Sequence, residues 1–433
     1  MKLVSSLYLF FVLVVSMEGS MYYRTPVMAV VRVALAGMLM LLFRIKPTRQ
    51  LAKVLVVWIL FVFASAAVSG DFKPSAIVFM TMRFVEAFVL LKLFKDKIFS
   101  SYVNLMLVLA IISLVGWTLS VIDLNGLFVM LRPFDFSGGF REQYGDYLHI
   151  GVFTLHDRVG FWTNYIPRNS GFCWEPGPFS ILLTVAIMIH WSLMKRSKVS
   201  PVSLILLAAL ATTFSTTGYL VFFGYFIYDN WSRAKKLIYL VPMIIVVIAG
   251  LYLFPRVEFL GGKMDAYMTQ EAYVVDKYGT GDKLYGSRLV GLPLVLQDLS
   301  RNPIMGTALT GENSYEGIGD IQSTHLNSLF TITSTMGLFG LFWWLFFLTK
   351  SSMKMGQVFS SPPLSLILII FLGSFGFNLH TWSILWVFLM YGYFMKHSSI
   401  RYPSRLHMGP VVVDQPCRDM PAVICRGQQS RIL

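Results

Sequence analysis

Two stretches of this 433-residue chain concentrate side chains that can bind or move charge. The first ends in Arg168-Asn-Ser-Gly171-Phe-Cys-Trp174-Glu175-Pro176-Gly-Pro178, directly ahead of an apolar run. Pro176 and Pro178 suit the first turn of a helix, where a missing N–H costs little. Glu175 then stands at that helix's N-terminus, where the dipole favours a carboxylate. It is either a cap or a group that accepts a proton or holds a hydroxyl at a membrane surface. The residues upstream mix aromatic rings with charge (Arg132, Asp135, Arg141, Tyr144, Tyr147, Arg158, Trp162, Tyr165), which suits the flat C–H faces and hydroxyls of sugars. An interfacial aromatic belt is the alternative. The second stretch runs through Gly286-Ser287-Arg288, the apolar-rich 289–299, Arg301-Asn302-Pro303 and Gly306, and closes at Thr324-His325-Leu326-Asn327-Ser328. A guanidinium fork suits phosphate, and His325 and Asn327 at the mouth of a span add donors. A solvated interfacial histidine is the other reading of His325. A third feature is charge inside an apolar run: Arg83 and Glu86, spaced i, i+3, can pair on one helix face. They are either a self-satisfied pair or a substrate contact, and Arg32 is placed similarly.

These groups need elements to hold them, and composition says what solvent those elements meet. Hydrophobic residues make up 56% and charged residues 13%, against about 25% charged in an average soluble chain. Too few polar residues remain to cover a water-soluble core, so lipid must be the solvent for most of the surface. The net charge of +14 is gathered in short basic clusters between apolar runs, which is an orientation signal and not a nucleic-acid footprint. Cys173, Cys417 and Cys425 show neither metal-ligand spacing nor a disulfide framework.

The apolar runs predict about twelve membrane helices: 3–17, 26–43, 51–69, 75–94, 101–122, 178–194, 201–214, 218–228, 237–254, 326–349, 363–378 and 381–396. Segments 201–228 and 363–396 can each be one tilted helix or a tight hairpin. Only hairpins put every basic cluster on one side: Arg44–Lys53, Lys92–Lys97, Lys195–Lys198, Arg233–Lys236, Lys350–Lys354 and Lys396–Arg405. The expectation is therefore an all-α polytopic membrane protein with both termini cytoplasmic and two large loops facing away from the cytoplasm, 123–177 and 255–325. Residues 1–400 form one multi-span domain, with 3–17 either a retained first span, the favoured reading, or a cleaved signal peptide, and 401–433 a cytoplasmic tail.

Three stretches carry a family resemblance. Arg168…Gly171-Phe…Glu175-Pro176 resembles the segment ahead of a central span in the Wzy-type O-antigen and polysaccharide polymerases. Arg288 through Pro303 and Gly306 is similar to the Arg-helix-Pro-x-x-Gly stretch of their second large loop. His325-x-Asn327…Gly337-x-x-Gly340 is similar to their His/Asn motif with paired glycines, and Ser215-Thr-Thr-Gly218 more loosely matches a Ser-containing turn. The likeness covers roughly residues 166–396. Two departures stand out: Leu326 intervenes after His325, which leans away from the related O-antigen ligases, and Ala308 stands where a second Gly is common.

The resemblance implies a GT-C-like membrane glycosyltransferase of the bacterial inner membrane. It would join repeat units carried on undecaprenyl diphosphate at the periplasmic face, with no cofactor and no metal. The implied catalytic residues are Glu175 for the acceptor hydroxyl, His325 for the diphosphate or proton transfer, and Arg288 for the diphosphate. Arg168, Arg83, Asn327, Arg301 and Trp174 are the implied substrate-binding residues, with Asn327 orienting His325. Expected partners are the lipid-linked oligosaccharide, membrane lipid and a chain-length regulator, with no nucleic acid. The alternatives are a ligase that transfers polysaccharide to lipid A core, a lipid-linked oligosaccharide flippase or transporter, and a structural scaffold.

Overall fold

The computed structural model describes residues 2–15, 26–70, 74–135, 148–155, 158–161, 164–194, 199–234, 291–307, 327–359 and 362–395. The expected span 237–254, most of the loop 255–325 and the tail 401–433 lie outside the described residues. So do Arg288 and His325. What is described is mostly helical, as expected of an all-α membrane protein.

The first helices are α1 (Lys2–Phe10, continued by a π turn Phe11–Val15), α2 (Pro26–Leu42), α3 (Arg49–Ser69), α4 (Pro74–Phe94), α5 (Lys97–Ile122) and the short α6 (Leu124–Leu131). Two hairpins follow, β1 (Leu148–His149) with β2 (Thr154–Leu155), and β3 (Arg158–Phe161) with β4 (Asn164–Pro167). The chain then forms α7 (Pro176–Met194), α8 (Pro201–Ala211), α9 (Thr216–Ala234), α10 (Gly291–Arg301), α11 (Ser328–Phe359), α12 (Ser365–Ser374) and α13 (Ser383–Phe394). Their bounds follow the apolar runs closely, because the intervening basic and Pro/Gly-rich residues cannot extend an apolar helix. Three run well past expectation: α5 starts at Lys97, α9 continues to Ala234, and α11 continues to Phe359.

Among the described residues four helices are long and apolar enough to cross a membrane: α3, α5, α7 and α11. They differ in what surrounds them. In α7, 83% of the most apolar window is buried inside the protein, against 33% in α3 and 28% in α5. A helix apolar all round and buried all round belongs at a bundle centre. The outward faces of α2, α3 and α5 instead expose Leu41, Leu60 and Val115, an apolar surface that water would not tolerate over such lengths.

Both ambiguous stretches reverse direction. Ser200 at the start of α8 meets His190 near the end of α7 at 2.8 Å, whereas Thr212 just past the end of α8 meets Asn169, ahead of α7. Returning along α7, α9 stacks Tyr225 on Trp191. Likewise Pro363 accepts a hydrogen bond from Ser352 of α11, Phe377 accepts one from Ser328, and Phe388 of the returning α13 accepts one from Ser351. The bundle therefore has two unlike ends. One carries Lys92, Lys350 and the Asp96–Tyr391 hydrogen bond of 2.6 Å. The other carries the segment 168–177 and the turns 212–215 and 375–382.

α11 is broken. Gly337 adopts φ 62°, ψ −163°, a conformation essentially confined to glycine. The segment after α10 fills the break: Leu338 N–H donates to the Pro303 carbonyl at 2.9 Å, Phe339 N–H to Ile304 at 3.2 Å, and Thr307 N–H to Ser334 at 2.9 Å. Gly306 and Gly337 meet so closely that a Cβ on either would lie about 2.5 Å from the other strand's carbonyl. Buried Asp298 of α10 accepts a hydrogen bond from the Ser334 hydroxyl and fastens the same contact. Pro303, Gly306 and Gly337 thus belong to one piece of packing.

Candidate functional site at the Phe377–Ser383 turn

Of the features singled out in the sequence, Arg83, the start of α11 and the segment after Glu175 meet at one turn. After α12 the chain leaves helical geometry, passes through a 3-10 turn at Leu379–Thr381, and enters α13 at Ser383. Ser328, the first residue of α11, donates its N–H (3.2 Å) and its hydroxyl (2.8 Å) to the Phe377 carbonyl. The same hydroxyl accepts the His380 N–H at 3.2 Å. Thr331, one turn on, donates to the Asn378 side chain at 3.0 Å. Such partners are required where non-helical backbone lies in an apolar surround.

From α4, Arg83 Nη1 donates to the His380 carbonyl at 3.3 Å, and Trp386 Nε1 donates to the same oxygen at 2.6 Å. The i, i+3 pairing of Arg83 with Glu86 is not what occupies the carboxylate. Both Glu86 oxygens accept from Arg32 of α2, Nε and Nη2 each at 2.7 Å. A fork-to-fork geometry across two helices outcompetes the looser contact available along one helix face. Arg32 Nη2 also donates to the Ser383 hydroxyl at 2.8 Å.

The 168–177 segment arrives from the other side. Asn169 folds it over the α8–α9 turn, with Nδ2 donating to Thr212 Oγ1 (2.9 Å) and Ser113 Oγ (3.2 Å). Arg168 Nη2 donates to the Phe214 carbonyl at 3.3 Å. Gly171 takes φ +56°, packed under the Phe179 ring, and its carbonyl receives the Thr154 N–H of the β1–β2 hairpin at 2.7 Å. Trp174 and Glu175 are half-buried, and Glu175 immediately precedes α7. Two residues later Gly177 lies directly against the Phe377 ring, where a Cβ would sit 1.9 Å from it. So the Glu175 segment, the α11 start and Arg83 are linked through a single turn.

Asn327 is buried; its Oδ1 caps α11 by accepting from Leu329 N–H at 3.0 Å, and its Nδ2 has no hydrogen-bond partner among the described residues. Arg301 ends α10 with an exposed side chain, ahead of the segment that fills the α11 break. His380 is a site residue that sequence reasoning missed. Burial, and then the nearby Arg83 charge, lower its pKa to about 3, so the ring is neutral at physiological pH. Its signal was a lone polar cluster, Asn378-Leu-His380-Thr381, between two apolar runs. Burial pushes the Cys173 thiol up, which keeps it protonated and unreactive. Beside the turn lies a small pocket of about 20 Å³ bounded by Arg83, His380, Trp386, Trp58, Trp343 and Trp344. Trp58 and Trp386 spend their indole N–H groups on Thr81 and His380.

The arrangement sets a buried guanidinium and a buried amide about one turn, beside a small apolar pocket. Neither a family model nor a curated protein sequence matches the chain.

Proposed function

We propose that this chain is a membrane glycosyltransferase that polymerises lipid-diphosphate-linked oligosaccharide units, as its resemblance to the Wzy-type polymerases implies. The observation that supports this reading is the meeting of the Arg168–Gly177 segment, the α11 start at Asn327 and Arg83 at one turn, on the end of the bundle opposite Lys92 and Lys350. On this reading about twelve spans cross the bacterial inner membrane in a GT-C-like arrangement. The basic end and both termini face the cytoplasm, and the site faces the periplasm.

In the reaction, a terminal sugar hydroxyl of the incoming unit attacks the anomeric carbon of the growing chain. The new C–O bond replaces the bond to the lipid diphosphate, which leaves carrying the electron pair. Glu175 takes the hydroxyl proton. Arg288 and Arg168, with His325, neutralise the departing diphosphate. Arg168 donates to the Phe214 carbonyl at the same end of the bundle. Asn327 orients His325, and Trp174, Arg83 and Arg301 contact substrate.

Reconstitution of the purified chain with synthetic undecaprenyl-diphosphate-linked units tests this directly. Polymer ladders support the proposal. Product that forms only when lipid A core is added indicates the ligase alternative, and lipid movement without bond formation indicates a flippase. In cells, Arg288→Ala should abolish polymer while protein levels and single-unit products persist, and normal chain lengths would remove Arg288 from its role. Full activity in Glu175→Gln would return Glu175 to capping α7.

A further inference from the structure

We infer that the buried Arg32–Glu86 ion pair is a positioning device that sets the Phe377–Ser383 turn through the Ser383 hydroxyl; its kinetic consequence rests on the polymerase reading above. Arg32, Glu86 and Ser383 are each fully buried, on α2, α4 and α13. Glu86 locks Arg32 through two 2.7 Å contacts, and this fixes the plane of the guanidinium. From that plane Nη2 reaches Ser383 at 2.8 Å. Ser383 lies three residues beyond His380, whose carbonyl is held by Arg83 from the same face of α4 that carries Glu86. Two arginines therefore grip the two ends of one short stretch, one at the His380 carbonyl and one at the Ser383 hydroxyl.

Stability alone is a poor reason for such a pair. Desolvation of two ions offsets most of their attraction, and a well-packed apolar replacement is often as stable. What the pair supplies is direction: a planar, immobile donor aimed at one hydroxyl. Displacements of about 1 Å in site geometry can cost on the order of a hundredfold in rate. A turn that carries the Phe377 ring against Gly177 and the Phe377 carbonyl against Ser328 is where such a displacement would be felt.

The discriminating variant is S383A, which cuts the link to the turn and leaves the ion pair in place. The full-length protein is reconstituted in nanodiscs with ¹⁵N-indole tryptophan. The Trp386 resonance, assigned by its loss in W386F, reports the His380 carbonyl that it bonds at 2.6 Å. In S383A the Trp386 resonance should shift and kcat for polymer formation should fall about tenfold, with KM for the lipid-linked donor within about twofold. S383T, which restores a hydroxyl, should recover both. E86Q, if it folds, should reproduce S383A. An unmoved resonance with wild-type kcat in S383A overturns the device and leaves the polymerase reading standing. A shifted resonance in a protein whose wild type makes no polymer supports the device and overturns the polymerase reading.

Discussion

The two turns at the polar end of the bundle, Thr212–Ser215 and Phe375–Trp382, solve the same problem with different chemistry. Each must satisfy non-helical backbone next to apolar helices. The first does so with neutral neighbours: Asn169 bonds Thr212 through backbone and side chain, and the Ser215 hydroxyl accepts Gly218 N–H at 3.1 Å. Among the described residues its cationic contact is the half-buried Arg168. The second is held by Arg83 and Arg32, both drawn from within the bundle and buried to 5% exposure or less. Neutral hydrogen bonds are each modest and replaceable. A buried guanidinium locked by a carboxylate cannot lose its partner without stranding a charge, so the second turn is the better defined of the two.

Breaking the lock should therefore produce the largest effect. Glu86→Ala strands the Arg32 charge and is expected to cost about 3–5 kcal/mol, read as a drop in thermal unfolding temperature of the purified protein. A cost below that of any change at the first turn would erase the contrast. Next, Gly177→Ala places a methyl into the Phe377 ring and should cost about 1–3 kcal/mol by overpacking, and Ala at Gly37, which has open space, should be nearly neutral in the same assay. At the first turn, Asn169→Ala should cost about 1–2 kcal/mol, because Ser113 and Thr212 keep alternative partners. Loss of Ser328, by Ser328→Ala, removes two hydrogen bonds to the second turn and should cost about 1–2 kcal/mol.

The smallest effect at neutral pH concerns His149, in the hairpin that leans on Gly171. Its ring bonds Thr154 Oγ1 at 2.8 Å, and burial lowers its pKa to about 4 despite Asp135 nearby, whose carboxylate accepts the His149 N–H. The unfolded chain, with an ordinary histidine pKa near 6.5, binds more protons between those values. Stability should therefore be unaffected above about pH 7 and fall as pH drops from about 6.5 toward 4, by at most about 1.4 kcal/mol per unit from this residue. His149→Gln should flatten that part of the stability–pH curve.

Helix positions were legible because charge and proline interrupt long apolar runs, and the two hairpins because basic clusters demand them. Partner choice within the bundle was not. Arg83 and Glu86 share a helix face in the sequence, yet Glu86 faces Arg32, fifty-four positions away, since only packing of α2 on α4 brings that fork into register. The paired glycines at Gly337 and Gly340 read as part of a site motif, but Gly337 admits the carbonyls of 303–304. His380 went unnoticed because burial, which gives it meaning, is a property of the assembled bundle. Glu175, Arg168, Trp174 and Asn327 stand out in the sequence because they sit at span ends, where polarity changes abruptly.

The interruption of α11 bears on how the protein is made. Glycine permits the Gly337 conformation without requiring it, so the break is imposed by the neighbouring segment and not by the helix itself. Left unfilled, it would expose the amides of Leu338 and Phe339 to hydrocarbon, at several kcal/mol each. The residues that meet them, Pro303 and Ile304, leave the ribosome before α11 does. The filler is thus already synthesised when the helix it interrupts is completed, and membrane insertion need never pass through an unsatisfied gap.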